Sequence, residues 1–180
     1  MLDPGGFDEV FDQEYPRLLR VASLIVGDDG RAREIVQESF ARALVRWDRV
    51  GRYDSPLAWL MTVTVRQAVR ARDRRFREVA PRAEDPTLTV RGPADAVVAR
   101  EVVLAALATL SPQQRAVVVL HHLEDLSVAD VAARLGVRTG TVKTQLFRAR
   151  ARLAEIIGDD STSDVPPGPS HPATTTEVPR

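Results

Sequence analysis

The residues best suited to do chemistry lie between Val128 and Arg152, in the stretch VADVAARLGVRTGTVKTQLFRARAR. Val131, Ala132 and Leu135 recur at helical spacing, and Gly136 follows them where a left-handed turn would end that helix. Val137 packs under the turn, and Thr139 or Thr141 can cap a second helix. In that second helix Val142, Leu146, Ala149 and Leu153 fall on one face at spacings of four, three and four. The other face carries Thr141, Thr144, Arg148 and Arg152, flanked by Lys143 and Gln145. Hydroxyls near a helix N-terminus suit phosphates, and long donors reach base edges in a major groove. Two helices joined by a glycine turn with this outer face make a DNA-reading helix-turn-helix. The competing reading is a helical hairpin with a solvated basic face.

A second constellation lies upstream. Arg66, Arg70, Arg74 and Arg77 are spaced four, four and three apart, so they form one stripe, with Trp59 on the same side. Trp47, Arg49, Arg52 and Tyr53 precede them. Rings on which bases stack, interleaved with guanidinium groups that hold phosphates, suit single-stranded or opened DNA. A solvated charged face with Trp47 and Trp59 in the core is the plain alternative. Glu34 and Glu38 sit one turn apart beside Gln37, opposite Val36, Phe40 and Trp47. That acidic face fits a basic protein partner or open solvent.

The elements that must position these groups read as all helical. A first helix is expected from about Phe7 to Ile25, with Pro16 able to kink or split it. Gly27-Asp28-Asp29-Gly30 is a turn that supplies an N-cap for a helix from Arg31 to Asp48, which buries Val36, Phe40, Ala43, Leu44 and Trp47. A polar loop spans Arg49 to Asp54. Ser55-Pro56 starts a third helix that runs to about Arg75. Periodicity stops from Glu78 to Pro93, where Pro81, Pro86 and Pro93 mark a flexible linker. Helicity resumes from Ala94 to Leu110. Ser111-Pro112 opens a helix to about His122, and Ser127 caps another that ends at Leu135. The last helix spans Thr139 to Ile157. Beyond Gly158 the chain is rich in Ser, Thr, Pro and Asp and reads as a disordered tail.

Composition narrows the function classes. The net charge over 180 residues is zero, yet six arginines face one acid between Arg66 and Arg77. Between Gly136 and Arg152, four arginines and Lys143 face none. A neutral total thus hides two local basic segments. Cysteine is absent, which excludes disulfides and thiolate metal sites. The acidic N-terminus has no apolar signal region, and no apolar run approaches membrane-spanning length. The cytoplasm is the expected compartment. Phosphate-loop, HExxH and GxSxG signatures are absent, and adjacent His121 and His122 point to different sides of an α-helix. The expectation is therefore a protein that is not an enzyme, with no cofactor, no metal, no membrane insertion and no small-molecule substrate.

Several runs resemble bacterial sigma-70-type transcription initiation factors. Arg33-Glu34-Ile35-Val36-Gln37-Glu38-Ser39-Phe40 resembles the family's polymerase-binding helix, and Pro56-Leu57-Ala58-Trp59-Leu60 resembles the start of the next helix. Leu110-Ser111-Pro112-Gln113-Gln114-Arg115, Leu126-Ser127, Ala132-Ala133-Arg134-Leu135-Gly136-Val137 and Gly140-Thr141-Val142-Lys143-Thr144 resemble the family's fourth region. Two domains with a short linker are similar to the extracytoplasmic-function group, over about residues 7 to 157.

The resemblance implies sigma region 2 at 7–77, a linker at 78–93, sigma region 4 at 94–157 and a tail at 158–180. It implies that Glu34, Gln37 and Glu38 contact core RNA polymerase. Trp47, Arg49, Arg52, Tyr53, Arg66, Arg70 and Arg74 would engage the −10 promoter element. Thr139, Thr141, Lys143, Thr144, Gln145 and Arg148 would read the −35 element. Such factors often have an anti-sigma partner. The sequence departs from the family at Glu34, where Asp is usual. It departs again at Val65, Arg66 and Arg70, where the family often carries an Arg-Asn pair and a later Asp. A stand-alone helix-turn-helix regulator is the alternative reading; it would leave the first domain without a use.

Overall fold

The computed structural model describes residues 5–78 and 102–157, and every regular element in them is a helix. Helix α1 spans Gly5–Val26, α2 Asp29–Val45, α3 Trp47–Val50 and α4 Pro56–Glu78. A helix at 102–108 (α5) precedes α6 at Pro112–Val118, α7 at Val128–Leu135 and α8 at Thr139–Ile157. The expected linker at 78–93 lies outside the described residues except for Glu78, and the tail at 158–180 lies wholly outside them.

Pro16 neither splits α1 nor stops it. It is exposed, while Leu18, Val21, Ala22 and Ile25 are fully buried in the turns that follow. Burial of that face outweighs one lost backbone hydrogen bond. Asp28 caps α2 by accepting from the Arg31 backbone N–H at 2.8 Å. The second helix is shorter than its pattern suggests. It ends at Val45, and the chain turns through Arg46 into the four-residue α3. The supposed polar loop at 49–54 is therefore partly helical, and Val50 is buried. Leu44, expected in the core, is 41% exposed. The α2–α3 turn instead brings Trp47 back, edge-on to Phe7 with ring centroids 5.2 Å apart.

Ser55 caps α4 through its hydroxyl, which accepts from the Ala58 N–H at 3.1 Å. Ser111 and Gln114 form a reciprocal capping box at the start of α6. The helix opened there does not stay α-helical to His122. From Val119 to Leu123 it widens into a π turn. That widening brings the His121 and His122 rings to 4.8 Å between centroids, against the expectation that they point apart. His121 Nδ1 lies 2.7 Å from the Leu126 carbonyl. Partial burial, then His121 and Arg150, push the His122 imidazole below its ordinary range. Among the described residues no group of three or more His, Cys, Asp or Glu side chains could hold a metal.

One apolar core crosses the whole molecule. Leu18, Ile25, Val36, Phe40, Leu60 and Val65 from the first half join Leu110, Val117, Leu120, Val131, Val142 and Leu146 from the second. Polar contacts line the seam between the halves. Arg17 donates from Nε at 2.7 Å and lies with Nη2 at 2.6 Å from the same oxygen of Glu124, whose side chain is 1% exposed. Arg115 is buried and donates to the Leu24 carbonyl. Burial and the neighbouring Arg72 cation push the Arg115 guanidinium down to about 9, so it remains a cation at neutral pH.

Candidate polymerase and nucleic-acid interfaces

The helix-turn-helix is built from α7 and α8. The Ser127 hydroxyl accepts from the Asp130 N–H at 3.1 Å and starts α7. Gly136 ends it with φ at 70°, a left-handed conformation that favours glycine. The Gly136 and Val137 N–H groups both return to the Ala132 carbonyl, at 2.9 and 3.0 Å. Ala132 is buried, as a close crossing of two helices requires. The Arg138 carbonyl receives the Thr141 and Val142 N–H groups and so begins α8. Val142, Leu146 and Ala149 are buried, and Leu153 packs against the same core.

The outer face of α8 differs from its sequence assignment. Thr139, Lys143, Thr144 and Arg148 are exposed, but Thr141 and Gln145 are half-buried and turn toward the first half of the chain. Arg152 pairs with Glu155 at 2.8 Å. Phe147, which sequence reasoning passed over, is 75% exposed. It stands one turn beyond Lys143 and Thr144 and beside Arg148. Its signal was legible: it precedes and follows no buried position at a spacing of four, since Lys143 and Ala151 are both outward.

In the first half, Arg49, Arg52, Tyr53, Arg66, Arg70 and Arg74 are exposed. Trp47 and Trp59 are half-buried and packed on the core, so neither presents a free ring face of the kind Tyr53 does. Arg66 is not idle. Its Nε donates to the Arg134 carbonyl at 2.8 Å, and Nη2 reaches the Ala133 carbonyl at 3.3 Å. Arg66 and Arg70 line a cleft of about 380 Å³ together with Gly136, Thr141 and Gln145. The stripe and the recognition helix thus face one another across the seam. Arg77 lies in α4, at a position whose side chain is outside the described set.

The acidic face of α2 is where the spacing put it. Ile35, Val36, Ser39 and Phe40 are buried, which leaves Glu34, Gln37 and Glu38 outward. The Ser39 hydroxyl donates to the Ile35 carbonyl at 2.8 Å and accepts from Gln67 Nε2 at 3.0 Å, which fixes α2 on α4. Glu34 pairs with Arg31, and Glu38 accepts from Arg42 Nε at 2.8 Å. These exposed pairs within one helix are weak and exchange readily for a partner's cations.

Comparison with known proteins gives these surfaces a family. Residues 10–78 match sigma-70 region 2, and residues 100–153 match sigma-70 region 4. The RNA polymerase sigma-E factor of Streptomyces antibioticus is 33% identical over 149 residues, covering 83% of each chain. The extracytoplasmic-function factor SigM of Mycobacterium tuberculosis is 33% identical over 160 residues, covering 87% of this chain and 79% of SigM. Among solved structures, RpoE in complex with the anti-sigma factor NepR from Bartonella quintana superposes with a TM-score of 0.67 at 26% identity. That match covers 86% of this chain and 98% of RpoE. CnrH in complex with the cytosolic domain of CnrY gives a TM-score of 0.60, also at 26% identity. Two regions in the family's order, on one helical chain of matching extent, leave the stand-alone regulator without support. The chain belongs to the extracytoplasmic-function group of sigma-70 RNA polymerase sigma factors, which bind core polymerase and direct it to promoters.

Proposed function

We propose that the two halves divide promoter recognition between them, with region 2 at 7–77, a linker at 78–93, region 4 at 94–157 and a tail beyond it. Glu34, Gln37 and Glu38 dock on a basic surface of core polymerase. Arg49, Arg52 and Tyr53, with Arg66, Arg70 and Arg74, hold the −10 strands as they part; Trp47 supports that loop from beneath. Thr139, Lys143, Thr144 and Arg148 enter the major groove of the −35 element, with Thr141 and Gln145 at its edge. Phe147 adds an apolar ring of the kind that meets a thymine methyl. The observation that carries this reading is where the outward groups fall: Glu34, Gln37 and Glu38 together on α2, a run of arginines on α4 and mixed donors on α8.

The role is regulatory rather than catalytic, and it is exercised in the cytoplasm, where polymerase and promoters meet. No helix among the described residues is long and apolar enough to cross a membrane. RpoE of Bartonella quintana is solved in complex with the anti-sigma factor NepR, which supports an anti-sigma partner for this chain too.

In vitro transcription over genomic fragments, with core polymerase and the full chain, tests the reading. Wild type should start transcripts from a discrete promoter set. Glu38→Arg should weaken core binding at least tenfold, about 1.4 kcal/mol, while duplex binding by the second half stays unchanged. Unchanged core binding by this variant would remove α2 from the polymerase interface, whereas equal loss of both activities would mean misfolding.

A further inference from the structure

A second cleft, of about 430 Å³, runs between α2 and α4. Two helical rows line it. Arg31, Ile35 and Arg42 come from one face of α2, and Gln67, Arg70, Ala71 and Arg74 come from one face of α4. Ile35 is buried and forms part of the floor. The Gln67 carboxamide is fixed across it, donating from Nε2 to the Ser39 hydroxyl of α2 at 3.0 Å. Four arginines thus line a cleft whose floor is already set, and Asp73 is the one acid with them among the described residues. Arg70 and Arg74 enter no ion pair among the described residues. Arg31 and Arg42 pair with Glu34 and Glu38, one turn away on their own helix, and all four side chains are exposed. Such pairs are weak and leave both arginines available to a stronger anion.

We propose that this cleft is a track for the phosphodiester backbone of one DNA strand, in which Arg31 and Arg42 extend the −10 surface of α4 onto α2. The inference rests on the assignment of Arg70 and Arg74 to DNA given above. A guanidinium offers paired N–H donors to phosphate oxygens, a contact that positions a strand without reading its bases. Arg31 and Arg42 are eleven residues apart, about 16 Å along a helix that rises about 1.5 Å per residue. One strand of B-form geometry passes roughly five phosphates in that length. No aromatic residue lines the cleft among the described residues, so it offers bases no ring to stack on and suits the backbone alone. Helix α2 then serves two partners from adjacent rims, with Glu34, Gln37 and Glu38 toward polymerase and Arg31 and Arg42 toward DNA. The ion pairs join the rims: a polymerase surface that takes Glu34 and Glu38 leaves Arg31 and Arg42 to the strand.

The chain lacks cysteine, so a photo-crosslinking label on Ala71→Cys, inside the cleft, is unique. It is read in holoenzyme, made from core polymerase and the full chain, on a promoter fragment recovered by the transcription assay above and pre-opened by mismatches across its −10 element. The label should join a DNA strand. Joining a polymerase subunit instead, or nothing, would overturn the inference. A label on Tyr53→Cys in the same holoenzyme tests the assignment beneath it. DNA reached from Tyr53 but not from Ala71 removes the cleft alone; DNA reached from neither removes the −10 reading of the first half as well. A second measurement leaves the cleft unlabelled. In Arg31→Gln/Arg42→Gln, the loss of two single-strand phosphate contacts should lower the salt slope of fragment binding by about 1.4. Between about 50 and 200 mM salt, wild-type holoenzyme should therefore lose roughly sevenfold more affinity than the variant, while the variant's affinity for core polymerase does not fall. An unchanged slope, or core binding that falls in step with fragment binding, would place both arginines outside the DNA track.

Discussion

At the scale of single residues, the left-handed turn at Gly136 joins structure to specificity. Its φ of 70° is unfavourable for any side chain, and its missing Cβ leaves room for Arg66. Gly136→Ala should destabilise the chain by about 1–2 kcal/mol in denaturant unfolding, from the backbone alone. Adding Arg66→Ala should recover only the part that comes from the close approach, which a double-mutant cycle separates. Phe147 makes a second prediction. A ring that contacts one thymine methyl gains about 0.8 kcal/mol from it, roughly fourfold in affinity. Replacing each −35 thymidine by deoxyuridine should reveal one sensitive position for wild-type holoenzyme and none for Phe147→Ala. Sensitivity unchanged by Phe147→Ala would assign the methyl to another side chain.

At the scale of elements, capping decides where α6 begins. Ser111 accepts from the Gln114 N–H at 3.3 Å while Gln114 Oε1 accepts from the Ser111 N–H at 3.0 Å. Pro112, next in sequence, has no N–H to leave unsatisfied. Arg115 stands in the last turn of that same short helix, so the cap also sets the arginine that reaches Leu24. Ser111→Ala should lower stability by about 1 kcal/mol, read as a shift in denaturation midpoint. The π turn that follows α6 has a different consequence. It turns Glu124 into the seam, where Arg17 meets it, and starts the approach to Ser127.

At the scale of the whole molecule, the continuous core makes the two halves energetically dependent. Both tryptophans lie in the first half, while backbone circular dichroism reports all helices. For the full chain the two signals should lose structure in one coincident transition. Fragments cut within 78–93 should unfold at lower denaturant than the intact chain, because each exposes apolar surface that the other covers. Two separated transitions in the intact chain would show that the seam adds little stability.

The sequence by itself determined the helices, their caps and the chemical character of each face. Periodicity set the buried row of α8 and most of that of α2, and Asp28, Ser55, Ser111, Ser127 and Gly136 marked the ends. These signals are local: a cap or a helical stripe acts within about one turn of chain, so the neighbouring residues suffice to read it. Runs such as those at 33–40 and 140–144 carried the family resemblance for the same reason. What only the tertiary structure decided lies where distant segments meet. Leu44 is excluded from the core because α2 stops at Val45, and Trp47 enters it because Phe7 waits there. Thr141 and Gln145 face the first half, not solvent, and Phe147 is left outside. Arg66, one cation in a stripe when read along the chain, caps a helix more than sixty residues away. An arginine's charge is written in its sequence, but its partner is whichever carbonyl the packed core brings within reach.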